Sequence, residues 1–199
     1  AEPGAAPVEL DTPGGPNYTY TGRGGVSIGS LWHKLLYAAK FADINILLSD
    51  RVNGASKIIY DRTPLQRVQQ AAPWLTVDRD AYPAVVQGRV VWVVDGYTTS
   101  NSYPNSERIN LNAATSDSQT TTPGTQVVAQ PGNDINYMRN SVKAVVDAYD
   151  GTVKLYAWDE TDPVLQTWRK VFGSVIQPKS AIPADLLAHL RYPQDYFKV

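Results

Sequence analysis

Residues 140–159, NSVKAVVDAYDGTVKLYAWD, predict a β-hairpin at the centre of the fold. Apolar arms flank the pair Asp150-Gly151, which supplies the positive φ angles of a two-residue type I′ turn. A turn centred there places Asp147 opposite Lys154, so that a charged pair faces across the two strands. The segment therefore predicts a register as well as two strands.

A second hairpin is predicted upstream, around the pair Gln87-Gly88. Residues 82–86 lead into this pair, and the nearly continuous apolar run 89–97, RVVWVVDGY, follows it. Between the hairpins, residues 98–134 are rich in Ser, Thr, Asn and Gln and are predicted to form a long polar loop.

Four helices are expected around these strands. Residues 31–48, LWHKLLYAAKFADINILL, predict a buried amphipathic helix with Ser30 as its N-cap, too polar and slightly too short to span a bilayer. The other three begin at prolines, which favour the first helical position: Pro64, Pro163 and Pro183. Thr63 and Asp162 precede two of these prolines as candidate N-caps.

Strands interrupted by short helices, without regular β-α alternation, predict an α+β fold. We expect a mixed or antiparallel sheet built from two β-hairpins and packed by about four helices. Residues 1–199 are expected to form a single domain, with an extended N-terminal segment at 1–29 and the polar loop at 98–134.

Composition excludes several classes of function. The net charge is −1, from 18 basic and 19 acidic residues without a block of like charge, which argues against a nucleic-acid partner. The absence of cysteine excludes disulfides, thiol nucleophiles and thiolate metal sites. The glycine-rich run 22–30, GRGGVSIGS, lacks the Lys and Ser/Thr of a phosphate loop, so a turn is the favoured interpretation and no cofactor is predicted.

Carboxylates after the first hairpin are candidates for two kinds of site. Asp150, Asp159 and Asp162 could hold a calcium ion, and Asp95 with Asp159 and Asp162 could serve a glycoside hydrolase. Asp162 is also well placed to cap a helix, which is the more ordinary role. No nucleophile motif is present, and no catalytic residue is assigned.

Aromatic side chains with a polar group are the candidates for ligand binding. Twelve Tyr and five Trp stand against three Phe. Trp92, Tyr97, Tyr156 and Trp158 could stack on a sugar ring or a lipid headgroup, although such residues in strands more often belong to the core.

Long segments of the chain resemble one bacterial family. The runs 51–104, beginning RVNGASKIIYDRTPLQRVQQ, and 135–163, INYMRNSVKAVVDAYDGTVKLYAWDETDP, together with HLRYPQDYFKV at 189–199, are similar to uncharacterised protein family 0182. The resemblance implies a fragment of a large membrane protein with several transmembrane helices and a large extracytoplasmic region. It implies a cell-membrane location for the full-length protein, with this domain extracytoplasmic, and it carries over no functional residues.

The leading hypothesis is a non-enzymatic domain that binds a lipid, a glycan or a protein of the cell envelope on behalf of the remainder of its own membrane protein. One alternative is a carboxylate-dependent hydrolase of envelope polymers. Another is a purely structural module, which predicts an exposed apolar patch, on the order of several hundred Å², where missing segments dock.

Overall fold

The computed structural model describes residues 20–49, 52–115 and 134–199. Contacts divide the chain into two compact units, which meet in sequence between Tyr60 and Asp61. Much of the predicted N-terminal segment, residues 1–19, and the middle of the polar loop, residues 116–133, lie outside the described residues. The single domain over 1–199 stays a prediction.

Within its described residues, the first unit holds two helices and a two-stranded sheet. Strand β1 (Val26–Ser27) pairs antiparallel with β2 (Lys57–Ile58). Between them lie α1 (Leu31–Phe41) and α2 (Asn45–Leu48).

The prediction of one buried helix over residues 31–48 is wrong on two counts. Ala42 has a φ of 51° and donates its N–H to Ala38 and Ala39, which is a left-handed C-cap that ends α1. No residue of α1 or α2 is buried. The predicted N-cap is confirmed, because the side chain of Ser30 accepts a hydrogen bond from the N–H of His33 at 3.2 Å.

The second unit is the α+β part of the chain. In order, its helices and strands are α3 (Pro64–Ala71), β3 (Thr76–Val77), β4 (Tyr82–Val86), β5 (Arg89–Ser100), β6 (Ile109–Asn110), α4 (Leu111–Ala114), β7 (Asp134–Ile135), β8 (Tyr137–Asp147), β9 (Val153–Ala157), α5 (Pro163–Phe172), β10 (Ile176–Gln177), α6 (Ala184–His189) and α7 (Gln194–Lys198). The three proline-associated helices are confirmed, with α6 beginning one residue after Pro183.

Six strands form one mixed sheet in the order β10-β9-β8-β5-β3, and β4 pairs with the first half of β5. All neighbours are antiparallel except β10 and β9, which are parallel. The predicted fold class is therefore confirmed. The polar loop begins later than expected, because β5 continues to Ser100, and β6 with α4 occupies part of the segment.

Each face of the sheet has its own apolar core. Helices α3 and α5 cover one face, where Val68 and Leu165 are fully buried against the strand residues Val94 and Val142. Helix α6 covers the other face, where Leu186 packs with Val93 and Tyr156. The face covered by α3 and α5 is called the first face, and the face covered by α6 is called the second face.

The β8–β9 hairpin has a different turn from the predicted one. Its ladder pairs Val146 with Val153, five residues (148–152) rather than two separate the strands, and Asp147 does not face Lys154. The carboxylate of Asp147 accepts hydrogen bonds from the N–H groups of Tyr149 and Asp150, at 2.9 and 3.0 Å, which stabilises the longer loop. The predicted register is therefore wrong by a shift of two residues on one strand.

The type I′ geometry occurs instead in the β4–β5 hairpin. Gln87 and Gly88 both have positive φ, 51° and 74°, and Val86 pairs with Arg89 on either side of them. The second predicted hairpin is confirmed, with its two-residue turn where the sequence places it.

Candidate ligand-binding cleft

A cleft of about 620 Å³ opens at one end of the second face. It lies between the start of β8, the residues after β9, the end of α6 and the segment that leads into α7. Its lining is rich in cations and aromatic rings and consists of Arg139, Asn140, Lys143, Trp158, Asp159, Lys179, Leu187, Leu190, Arg191, Tyr192, Pro193 and Tyr196.

The floor of the cleft contains a buried ion pair. The Nζ of Lys143 donates to Oδ1 of Asp95, and each side chain is only 2% exposed. The same ammonium donates to the carbonyl oxygen of Arg191 at 3.0 Å and lies 5.3 Å from the ring centroid of Trp158. Burial raises the pKa of Asp95, and the neighbouring charge and hydrogen bond of Lys143 oppose that rise.

A β-bulge in β8 brings two side chains onto this carboxylate. Gly96 pairs with Val142 but Tyr97 pairs with Asn140, which leaves Ser141 as the extra residue. Without the bulge, residues 140 and 143 would point to opposite faces of the sheet. With it, the amide of Asn140 donates to Oδ1 of Asp95 at 2.9 Å beside Lys143.

The Oδ1 atom of Asn140 is buried and has no hydrogen-bond partner among the described residues. A buried acceptor normally finds a donor, so this atom marks a place where a donor from outside the protein would be favourable. It belongs to a residue that lines the cleft.

Two further cations at the cleft have aromatic rings as neighbours. The Nζ of Lys179 lies 3.9 Å from the ring centroid of Trp158, and the guanidinium of Arg191 lies 4.7 Å from that of Tyr82. Within the described residues neither forms a salt bridge. Arg139, in contrast, pairs with Asp159 at 3.0 Å. The cleft therefore keeps a net positive charge, because its ion pairs neutralise Arg139 and Lys143 but not Lys179 or Arg191.

The four aromatic residues proposed from the sequence do not form one site. Trp158 lines the cleft, and Tyr156 is buried behind it in the core of the second face. Trp92 packs on the first face, on the other side of the sheet. Tyr97 is fully buried.

Tyr97 belongs to a second buried polar cluster. Its hydroxyl donates to Oδ2 of Asp78, which also accepts the N–H of Asp195 at 2.9 Å. Burial and the charge of Asp78 raise the pKa of Tyr97, so its hydroxyl stays protonated. Burial raises the pKa of Asp78 as well, against the hydrogen bond from Tyr97. This cluster fixes the start of α7 to the segment after β3.

The three aspartates proposed for calcium have separate partners. Asp150 accepts from the hydroxyl of Thr152 at 2.7 Å, and Asp159 accepts from Thr161 and pairs with Arg139. In the part of the chain that the structure describes, no three or more His, Asp or Glu side chains are grouped as a metal site would require.

Asp162 is the N-cap of α5. It accepts from the N–H groups of Val164 and Leu165 and from the hydroxyls of Thr98 and Ser141, the latter two at 2.6 Å. Burial acts to raise its pKa, but the hydroxyls together hold that pKa below its usual value. Three carboxylates, Asp95, Asp159 and Asp162, were considered for hydrolysis. Among the described lining residues of the cleft, only Asp159 is one of them. Asp95 is paired with Lys143 beneath the cleft, and Asp162 caps α5.

Sequence reasoning missed the cations of the cleft. Arg139 and Lys143 lie in a strand read for its apolar pattern, and Lys179 lies in the short connection between β10 and α6. The run 191–196, RYPQDY, places a cation and two tyrosines within six residues and was the available signal.

Comparison with known proteins gives a match over nearly the whole chain. Residues 3–199 match the model of the uncharacterised protein family UPF0182. The chain belongs to this family. No solved structure is significantly similar to it.

Several UPF0182 proteins are more than half identical to the chain. It is 57% identical over 196 residues to the UPF0182 protein of Kineococcus radiotolerans and 55% identical over 193 residues to that of Arthrobacter sp.. It is 54% identical over 201 residues to the UPF0182 protein of Frankia alni. These alignments cover 96%, 97% and 98% of the chain but only 19%, 19% and 20% of the relatives. The chain thus spans about a fifth of their length. None of the helices in its described residues is long and apolar enough to cross a bilayer.

Proposed function

We propose that this region of a UPF0182 protein is a non-enzymatic, extracytoplasmic domain that binds an anionic component of the cell envelope in the cleft. The ligand group would be a phosphate or carboxylate with hydroxyls beside it, as an envelope lipid headgroup or an acidic glycan carries. The placement outside the cytoplasm is supported by the resemblance to large membrane proteins. The cleft supplies the argument for the ligand.

The charge of the cleft carries this proposal. Among its described lining residues, four side chains are cationic and one, Asp159, is acidic. Two of the cations, Lys179 and Arg191, are exposed and lack a carboxylate partner in the described residues, so they remain available to an anion. Because the protein as a whole is close to neutral, this concentration of positive charge is local.

The other groups of the cleft favour a ligand with hydroxyls and an apolar or ring surface. The unpartnered Oδ1 of Asn140 would accept a hydrogen bond from a ligand hydroxyl. Trp158, Tyr192 and Tyr196 offer ring faces for stacking or packing. The buried pair of Lys143 and Asp95 holds the floor in place.

Native mass spectrometry of a full-length UPF0182 protein that carries this sequence tests the proposal. The double variant Lys179→Gln with Arg191→Gln removes both unpaired cations. The matched control, Lys154→Gln with Lys170→Gln, lowers the net charge equally at two exposed positions of β9 and α5, away from the cleft. We expect a bound mass on the wild type and the control that is strongly depleted on the cleft variant.

The chemistry of the released mass separates the two sources of the anion. Extraction into organic solvent identifies a lipid, and retention in water with sugar fragments identifies a glycan. Equal occupancy on all three proteins, or an adduct whose loss follows the control variant, would contradict the cleft as the binding site. Binding should also weaken as salt is raised, because exposed charges are screened.

A further inference from the structure

Helix α1 has an apolar face that the rest of the first unit leaves exposed. At about 100° per residue, Leu31, Leu35, Ala39, Trp32 and Leu36 occupy a continuous arc of roughly 140° on the helix surface. All five side chains are exposed, and Leu31 and Trp32 are each 74% exposed. Ile44 and Leu48, which flank and end the following helix α2, are 64% and 68% exposed. This set is called the α1 face below.

Two lysines border this arc on the helix surface, Lys34 about 60° beyond Leu31 and Lys40 about 40° beyond Leu36, and both contact other residues of the first unit. Lys34 donates to the carbonyl oxygen of Val52 at 2.6 Å, and the Nζ of Lys40 lies 4.1 Å from the ring centroid of Tyr60. Tyr37 and Phe41 pack against the same tyrosine ring. Both lysines of the helix are therefore engaged by its own unit while its leucines are left exposed, which is unlike the pattern of a helix on a free surface.

A contiguous apolar surface of this kind marks an interface. We propose that the α1 face is covered, in the full-length protein, by an apolar segment of the same polypeptide outside these 199 residues. The chain spans about a fifth of its relatives, so about four fifths of the polypeptide is available to cover it. This inference does not depend on the ligand of the cleft.

The charges around the face favour a polypeptide over an anionic bilayer surface. A helix that lies on such a surface usually directs Lys or Arg from the margins of its apolar face toward the headgroups. Here the lysines at the two margins, Lys34 and Lys40, are engaged instead by a backbone carbonyl oxygen and an aromatic ring of their own unit. The apolar arc itself carries no charge, which suits burial against uncharged side chains.

The absence of cysteine from the chain makes a direct accessibility test practical. Ala39→Cys places a thiol in the middle of the α1 face. Ala55→Cys places one on an exposed turn of the same unit, so the two substitutions are matched in size and starting residue. Each is made in a full-length UPF0182 protein that carries this sequence, with cysteines elsewhere replaced by serine, and reacted with a water-soluble maleimide.

We expect the thiol at position 39 to react on the order of tenfold more slowly than the one at position 55, because the covering segment must open first. The two should react equally after denaturation. Equal rates in the native protein would overturn the inference.

A photo-crosslinking amino acid at Trp32 identifies the occupant. The inference requires a crosslink within one polypeptide, to a peptide outside these 199 residues. A crosslink to lipid would assign the face to the bilayer, a crosslink between two copies would assign it to an oligomer, and a crosslink to residues within the 199 would place the cover in this chain. Each of these three results would overturn the inference.

Discussion

At the scale of single residues, one aspartate and one threonine show how similar sequence signals lead to different structures. Thr63-Pro64 and Asp162-Pro163 carry the same pattern of a capping residue before a helical proline. Asp162 caps α5 through two backbone N–H groups and collects three hydroxyl donors, whereas the side chain of Thr63 makes no capping hydrogen bond at α3. The pattern predicts where the helix begins, but neighbouring residues in the fold determine how much the capping side chain contributes to stability.

Asp162→Ala should destabilise the protein by about 2–3 kcal/mol, because it removes the cap of α5 and the carboxylate that the buried hydroxyls of Thr98 and Ser141 share. Thr63→Ala, its matched control, should change the free energy of unfolding by less than about 0.5 kcal/mol. Urea unfolding of both variants measures the difference. Equal losses would show that neither the cap nor the hydroxyl contacts of Asp162 contribute measurably to stability.

The pair of Asp95 and Lys143 gives a second prediction. Asp95→Asn should cost about 3–5 kcal/mol, because it leaves the buried ammonium of Lys143 without its counter-charge. Adding Lys143→Met to that variant should recover much of the loss, since both buried charges are then gone. A double-mutant cycle by chemical unfolding provides the measurement. A double variant no more stable than Asp95→Asn alone would show that the ammonium is not the source of the loss.

At the scale of secondary structure, the two hairpins show what a turn signal can and cannot predict. Asp150-Gly151 is the stronger type I′ signal, yet Gln87-Gly88 adopts the type I′ turn. The carboxylate of Asp147 competes for the local N–H groups, and the β8–β9 loop has five residues. Turn pairs alone predict the hairpin, and the side chain before the turn decides its length.

Gln87→Asn should therefore stabilise the protein by about 0.5 kcal/mol, because Asn tolerates the positive φ that Gln87 adopts. Asp150→Asn is the contrasting variant and should give no gain, since Asp150 has no positive φ and its carboxylate serves Thr152 and Arg89. Thermal unfolding of the two variants makes the comparison. A gain at position 150 would mean that its turn prefers the type I′ form in solution.

The same loop predicts a dependence of stability on pH. Arg89, at the start of β5, lowers the pKa of Asp147 to about 2, below the value of about 3.9 in an unfolded chain. A lowered folded-state pKa contributes stability that is present above about pH 4 and is lost as the pH falls toward 2. Arg89→Gln should raise that pKa and reduce stability at neutral pH, with a difference from wild type that shrinks in acid.

Lys154→Gln is the control for this pH series, because Lys154 faces Val145 rather than Asp147. Its unfolding free energy should follow that of the wild type from pH 7 to pH 2. If Lys154→Gln changed the pH dependence of the unfolding free energy as Arg89→Gln does, the result would contradict the register that places Val146 opposite Val153.

At the scale of the whole molecule, stability should be distributed unevenly between the two units. In β5 and β8, most strand residues from Val91 to Thr98 and from Ser141 to Val146 are buried, whereas α1 and α2 contain no buried residue. Amide hydrogen exchange of the 199-residue chain should find the slowest amides in the centre of β5 and β8 and the fastest helical ones in α1 and α2. Slow exchange in α1 of that chain would mean that its face is already covered there.

The sequence supports the prediction of sheet and helices well because their signals are local. Alternating apolar residues, turn pairs and proline-led helices each act within a few neighbouring positions. The cleft is different, since it draws on β8, the end of β9, the connection before α6 and the residues before α7. No local sequence pattern predicts that Lys143, Lys179 and Arg191 lie close together. The bulge that directs Asn140 toward Asp95 also has no recognisable sequence signal. The exposed apolar face of α1 was not predicted. Apolar periodicity indicates that a helix has an apolar face, but it does not indicate whether other residues of the chain cover that face.

The bulge at Ser141 also links the two sides of the sheet. Asn140 serves the ion pair at the floor of the cleft, while its neighbour Ser141 serves the cap of α5 on the opposite face. Only one peptide bond separates these two contacts, so we expect a substitution that shifts the backbone at either residue to disturb both the ion pair and the helix cap.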